Sequence, residues 1–301
     1  MSLVRLTNMT SMPPPLDAAA AAASSNRSIG AILVDAGRLS PENAERILRA
    51  QKEQNKFFGD AALSLGLVTQ DDIQFALSHQ FNYPYLAAND QRLSTELIAA
   101  YQPFSPAVEQ LRALRSQLML RWFDAKTKRN ALAVVSPGAG EGRSFIAANL
   151  AVVFSQLGER VLLIDADLRK PRQHALFKLG NSAGLSTILA GRAGHEAIVR
   201  VAPLLGLSVL PAGSLPPNPQ ELLGRPGFSG LLDKLSEEFD VIIIDTPAAR
   251  TYADAQTVAV RAGAALLLAQ QNRSATAELT QLTRSLQQSG ATLVGSVMNN
   301  V

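Results

Sequence analysis

Ser136-Pro137-Gly138-Ala139-Gly140-Glu141-Gly142-Arg143-Ser144 follows the apolar run Ala131-Leu132-Ala133-Val134-Val135 and precedes a helix-forming stretch, Phe145 to Leu157. Strand, glycine-rich turn and helix in that order bring successive backbone N–H groups and a helix N-terminus onto one point, which is what cradles phosphate oxygens. The positions expected at such a cradle are Gly138, Ala139, Gly140, Glu141, Gly142, Arg143, Ser144 and Phe145. The Ser144 hydroxyl stands where a magnesium ligand is needed. Taken alone, the loop reads equally well as a structural turn. Where a lysine is usual the chain has Arg143, whose planar fork is longer and bulkier than an ammonium.

Two further segments remove the ambiguity. Val161-Leu162-Leu163-Ile164 ends in Asp165-Ala166-Asp167, and Val241-Ile242-Ile243-Ile244 ends in Asp245-Thr246-Pro247. An aspartate that closes one strand is often only a helix cap. Three such segments in this order are expected to meet at the carboxyl ends of neighbouring strands, where open α/β sheets bind ligands. Magnesium takes hard oxygen donors and keeps several waters, so one hydroxyl with Asp167 and Asp245 nearby suits it. Apolar strands recur at 131–135, 161–164, 207–210, 241–244, 264–268 and 292–297, alternating with helical patterns. The alternation predicts a mostly parallel, doubly wound α/β sheet of the P-loop NTPase class, preceded by a small all-α domain.

Composition sets outer bounds. The net charge of +3 gives no argument for a nucleic-acid partner, and the absence of cysteine excludes disulfides, thiolate metal sites and cysteine nucleophiles. The apolar runs are strand-length, far short of the roughly 20 residues that span a bilayer. Residues 1–26, with Pro13-Pro14-Pro15 and an alanine tract, read as a disordered tail rather than a signal peptide.

An internal repeat follows. Gly30, Gly37, Leu39, Ser40, Ile47 and Gln51 recur 29 positions later as Gly59, Gly66, Val68, Thr69, Ala76 and Gln80. Each copy predicts a helix, a glycine stop, a capping residue and a second amphipathic helix. Ser40-Pro41 supplies a cap with proline at the first helical position, and Thr69 with Asp72 resembles a capping box. The expected organisation is a helical domain over 27–86, a linker over 87–104 and the α/β domain over 105–301. Ser105-Pro106 is expected to cap a helix running to about Trp122.

The α/β part resembles the bacterial tyrosine kinases, in particular the exopolysaccharide EpsG-type branch. The resemblance rests on Gly140-Glu141-Gly142-Arg143-Ser144 with Ala148-Asn149-Leu150-Ala151, on Asp165-Ala166-Asp167-Leu168-Arg169-Lys170-Pro171-Arg172, and on Phe239-Asp240-Val241-Ile242-Ile243-Ile244-Asp245-Thr246-Pro247. Pro211-Ala212-Gly213, Pro216-Pro217-Asn218-Pro219 and Glu221-Leu222-Leu223 extend it. It implies ATP or ADP with magnesium, Asp165 as the group that orients or deprotonates an acceptor tyrosine, and Asp167 and Asp245 around the metal with Ser144 as its ligand. It also implies Asn299 near the adenine. Glu109, Arg112 and Arg115 look like the family's oligomerisation motif. The implied partner is a membrane chain-length-determinant (polysaccharide co-polymerase) protein, which would recruit a cytoplasmic chain to the inner membrane.

Arg143 departs from the family pattern, and the expectation is that nucleotide binding survives while phosphoryl transfer is slow or absent. Tyr252 is the only tyrosine after Tyr101, so a C-terminal tyrosine cluster is not expected as acceptor. The repeat resembles the MshEN (type II secretion ATPase N-terminal) domain, which implies a cyclic di-GMP site at Ile29, Gly30 and Gln51 and at Phe58, Gly59 and Gln80. Ser28 and Phe57 stand where that family has arginine. A docking domain without ligand remains the alternative. Three other whole-chain readings stay open: a nucleotide switch without kinase activity, a cyclic di-GMP-responsive regulator, and a MinD/ParA-type ATPase. Against the last, Gly138 stands where that group has a second lysine.

Overall fold

The structure is a computed structural model that describes residues 27–80, 85–86, 89–124 and 129–300. The expected tail, 1–26, lies outside the described residues. The chain divides into two compact units, Met1–Tyr83 and Pro84–Val301.

The first unit is the repeat. Its helices are α1 (Ile29–Asp35), α2 (Pro41–Gln54), α3 (Phe58–Ser64) and α4 (Gln70–Gln80). The Ser28 and Ser40 hydroxyls accept the N–H groups of Ala31 and Asn43. Thr69 and Asp72 cap reciprocally: the Asp72 N–H donates to Thr69 Oγ1 at 3.2 Å and the Thr69 N–H to Asp72 Oδ2 at 2.9 Å. Gly37 and Gly66 take left-handed φ values of 67° and 64°, so each copy turns at the same place. The core repeats as well. Ile32, Leu33, Leu39 and Ile47 are buried together with their counterparts Ala61, Ala62, Val68 and Ala76.

The second unit opens with α5 (Ile98–Tyr101) and α6 (Pro106–Arg121), the latter capped by Ser105. Then follow β1 (Ala131–Val135), α7 (Arg143–Ser155), β2 (Val161–Asp165), α8 (Gln173–Leu176), α9 (Leu185–Leu189), β3 (Val199–Arg200) and β4 (Leu207–Leu210). The chain continues through α10 (Pro219–Gly224), α11 (Pro226–Glu238), β5 (Val241–Asp245), α12 (Asp254–Ala262), β6 (Ala264–Gln270), α13 (Thr276–Gln288) and β7 (Thr292–Asn299). The sheet order is β3-β4-β2-β5-β1-β6-β7, parallel except for the edge strand β3.

Strand alternation feeds two cores. Leu132, Val134, Val161 and Leu163 pack on one face with Leu118, Leu150 and Phe154. Ala133, Val135, Leu162 and Ile164 pack on the other with Phe228, Leu235, Val258 and Leu286. A parallel strand covered on both sides needs apolar residues at every position, which is why these strands read as unbroken hydrophobic runs.

The stretch read as a linker is part of this unit. Leu93, Leu97, Ala99, Ala100 and Tyr101 are buried in the first of these cores, and Leu86 joins them. Asn149, buried on α7, accepts the Ala99 N–H at 2.9 Å and donates to the Glu96 carbonyl at 3.0 Å. Apolar side chains at short spacing, together with a buried amide that pairs their backbone, bind the segment to α7. The short polar-looking sequence around it hid that packing.

Candidate functional site

Strand register sets three chain ends side by side. Val134 of β1 lies opposite Asp245 of β5, and Asp245 opposite Asp165 of β2. The loop leaving β1 therefore begins beside two carboxylates, with Asp167 two residues further along.

The loop is built on left-handed glycines, Gly140 at φ +73° and Gly142 at φ +97°. Gly142 is the N-cap of α7, and a Cβ there would collide with the Asn299 side-chain amide. That amide donates to the Glu141 carbonyl at 3.1 Å, and Arg273 Nη1 donates to the Gly140 carbonyl at 3.2 Å. The Glu141 side chain is buried: it accepts the Gly138 N–H at 2.7 Å and the Ser274 hydroxyl at 2.5 Å. The ends of β6 and β7 thus fix the loop from its flank.

Arg143 is 8% exposed and turned into the protein. Its Nε donates to the Thr246 carbonyl at 2.8 Å, and its Nη1 to the Gly138 carbonyl at 2.5 Å and to the Ser136 hydroxyl. Burial pulls this guanidinium below its ordinary pKa, while Asp245, Asp167 and Glu141 act to keep it charged. An arginine fork reaches three acceptors on two strand ends at once, which an ammonium in the same place does not.

The carboxylates are organised by backbone and by one amide. Asp165 is fully buried; Oδ2 accepts the N–H groups of Arg172 and Gln173 at 2.9 Å, and Oδ1 that of Asp167 at 3.2 Å. Burial, then the charge of Asp245, pushes its carboxyl well above the usual range. Asp167 Oδ1 accepts the N–H groups of Arg169 and Lys170. Asp245 is fully buried, and burial pushes it up to about 6 against the opposing pull of Ser144, Gln173 and Arg143. Its Oδ2 accepts the Gln173 amide at 2.8 Å, while its Oδ1 has no hydrogen-bond partner among the described residues. The same amide donates to the Ser144 carbonyl at 3.1 Å. A buried carboxylate oxygen left open beside a serine hydroxyl and a second aspartate is a hard-oxygen donor set. It fits magnesium with retained waters.

A cavity of about 530 Å³ opens over these groups. Ala139, Gly140, Gly142, Arg143, Ser144 and Phe145 line it, with Asp167 facing them. Gly138, Glu141 and Asn299, expected at the nucleotide, instead serve the loop's own hydrogen bonds. Arg169, Lys170, Arg172 and Tyr252 complete the rim. In the sequence the basic run 169–172 carries a family likeness and no cavity signal, and Gln173 carries no signal at all: an isolated glutamine after a basic stretch reads as surface.

The other expected positions lie elsewhere. On α6, Arg112 pairs with Glu109 at 2.9 Å and donates to the Pro103 carbonyl, and Arg115 donates to the Val153 carbonyl at 2.8 Å. In the repeat unit, a Cβ on Gly30 would lie 3.0 Å from the Phe58 ring, and one on Gly59 would lie 3.6 Å from Ile73. Ile29 and Phe58 pack on the unit's core, Gln51 is half-buried, and the Gln80 amide donates to the Arg27 carbonyl at 3.0 Å.

Residues 130–297 match the family described as cellulose biosynthesis protein BcsQ. The tyrosine-protein kinase YwqD of Bacillus subtilis is 36% identical over 208 residues, 69% of this chain and 87% of its own length. The chain belongs to the bacterial tyrosine-kinase family. Another family member, tyrosine-protein kinase Etk of Escherichia coli K12, is 34% identical over 219 residues, 72% of this chain. The chain spans only 27–30% of the length of Etk and of other long relatives. The solved kinase domain of Escherichia coli Etk superposes with a TM-score of 0.64 at 33% identity, over 68% of this chain and 80% of that one. The Pyrococcus furiosus cell-division ATPase MinD superposes less well, with a TM-score of 0.50 at 26% identity, over 56% of this chain and 71% of its own. Family membership thus favours the kinase reading over a MinD/ParA-type ATPase.

Proposed function

We propose that this chain binds Mg-ATP and Mg-ADP at the 138–145 loop and serves as a tyrosine-kinase-like regulator of exopolysaccharide polymerisation and export. The observation that carries the reading is the buried, unpartnered Oδ1 of Asp245 beside Ser144 and Asp167, at the strand ends that carry a glycine-built phosphate loop. In this reading Ser144 ligates magnesium, and Asp167 and Asp245 hold its water shell. The ion supplies charge neutralisation for the phosphates. The loop N–H groups and the α7 N-terminus bind the phosphate oxygens. Asp165 orients or deprotonates the acceptor hydroxyl. Its oxygens now face three backbone N–H groups, so that role requires the 167–173 segment to open.

Arg143 sets the rate. Its fork is engaged by loop and strand carbonyls, so it stabilises the loop and is withheld from the phosphates. Losing one well-placed transition-state contact costs roughly 10²–10³ in rate. Transfer is therefore slow, and the ADP- and ATP-bound states act as a switch on an assembly. That assembly is a homo-oligomer through the α6 residues Glu109, Arg112 and Arg115, together with a membrane chain-length-determinant protein. No helix among the described residues is long and apolar enough to cross a membrane, which suits a cytoplasmic chain held at the inner membrane by that partner.

The test is a phosphotransfer assay on the purified chain with labelled ATP and magnesium, with and without the partner's cytoplasmic tail. Equilibrium nucleotide binding is measured in parallel. Magnesium-dependent binding with weak transfer to tyrosine is expected. Absence of nucleotide binding, with magnesium present and the chain folded, overturns the reading.

A further inference from the structure

We infer that Lys170 makes the cationic contact to the terminal phosphate that Arg143 does not make, so that Lys170 is the residue by which this site tells ATP from ADP. The inference rests on the nucleotide reading above and adds to it the identity of the phosphate-side cation.

Four basic side chains line the cavity: Arg143, Arg169, Lys170 and Arg172. Three are committed. Arg143 is bonded to Thr246, Gly138 and Ser136. Arg169 forks onto the buried carboxylate of Asp254 at 2.7 and 3.2 Å, and its guanidinium lies 3.6 Å from the centre of the Tyr252 ring. Arg172 places Nη2 on both oxygens of Glu96, at 2.8 and 2.7 Å. Lys170 has its backbone fixed, its N–H donating to Asp167 Oδ1 at 2.8 Å, and its side chain exposed. Among the described residues no acceptor holds its ammonium.

Charge and position both argue for a phosphate. Asp167 lines the cavity and Asp165 and Asp245 are buried at the neighbouring strand ends, so a polyanion entering there needs positive charge beyond one divalent ion. Lys170 starts three residues after Asp167, lines the same cavity as the glycine loop, and has its backbone bonded to the Asp167 carboxylate. A last phosphate beside a metal held by Ser144 and Asp167 would lie within the same lining as Lys170. A flexible four-carbon stem carrying three donors meets such a group without prior order, whereas the locked guanidinium groups cannot without breaking buried pairs.

The experiment is calorimetric titration of the full chain with a non-hydrolysable ATP analogue and with ADP, both with magnesium, for the parent, Lys170→Ala, Lys170→Arg and Arg143→Gln. Lys170→Ala is expected to weaken the triphosphate about 10- to 100-fold, the size of a hydrogen bond to a charged group, and ADP less than about threefold. Lys170→Arg is expected to recover most of the loss. Arg143→Gln is expected to lower the melting temperature while keeping the ATP-to-ADP ratio; should it fail to fold, the Lys170 pair still decides. Equal weakening of both nucleotides by Lys170→Ala, or no change, overturns the inference and leaves the nucleotide reading standing. A folded parent that binds neither nucleotide removes both.

Discussion

Arg143 and Thr246 are joined by a buried hydrogen bond, guanidinium Nε to backbone carbonyl at 2.8 Å. It ties the start of α7 to the end of β5, across the strand ends that carry the phosphate loop and Asp245. The residue that sequence reading assigns to phosphate chemistry is therefore, in this structure, a tie within the fold.

One consequence concerns stability. Arg143→Ala leaves the Thr246 carbonyl without a donor and the Gly138 carbonyl with only the Ser136 hydroxyl at 3.2 Å, and a buried polar group left unpaired costs about 1–3 kcal/mol. A loss of about 1–3 kcal/mol in the second unit is expected in a denaturant melt. A loss below about 1 kcal/mol would show that water replaces the guanidinium and that the tie is dispensable.

Gln173 offers an independent handle on the metal end. Its amide spans the Ser144 carbonyl and Asp245 Oδ2, and its N–H holds Asp165. Gln173→Glu sets another carboxylate against Asp245, so magnesium-dependent nucleotide affinity is expected to fall about tenfold or more, with Gln173→Ala intermediate. Titrations of nucleotide at several magnesium concentrations check this, since a merely structural effect would not depend on the ion.

Backbone demand makes Gly142 the least replaceable loop position. Gly142→Ala combines a φ of +97° with a clash on the Asn299 amide, so a cost of about 1–3 kcal/mol and lost nucleotide binding are expected. Gly158→Ala, also at positive φ but with open space around it, is expected to cost only the backbone strain. Comparing the two melts separates strain from collision.

In the repeat unit, the Thr69–Asp72 box gives a prediction with a pH sign. Partial burial works upward on Asp72, but the Thr69 N–H and hydroxyl and the Arg38 guanidinium bring its carboxyl below the ordinary value. A carboxylate lowered in the folded state stabilises above its unfolded pKa, and that stability is lost as pH falls through the folded value. Asp72→Ala is expected to cost about 1 kcal/mol at neutral pH, with the difference from the parent vanishing under strong acid. A difference that persists in acid would assign the effect to packing.

Much of this was legible in the sequence. Six strands were marked by apolar runs; five of them are parallel strands buried on both faces, which leaves no polar alternation, and the edge strand β7 is only partly buried. The repeat was visible because its glycines and caps must recur for the chain to turn twice in the same way. Val199–Arg200 was missed: two residues at an antiparallel edge carry no periodicity. The inward turn of Arg143 was hidden because residue type fixes charge, whereas one of the acceptors that draws it inward, Thr246, lies 103 positions away. Gln173 escaped for the same reason, since its importance is entirely in its two distant partners.

The central claim is that this loop holds a nucleotide while its arginine slows the phosphate's departure. Single-turnover transfer of labelled phosphate from ATP to tyrosine, in the parent and in Arg143→Lys at matched nucleotide saturation, tests it most directly. The account predicts nucleotide affinities within about threefold of each other and transfer faster by about tenfold or more in Arg143→Lys, a partial recovery of the lost contact. A parent that already transfers as fast as Arg143→Lys would contradict it.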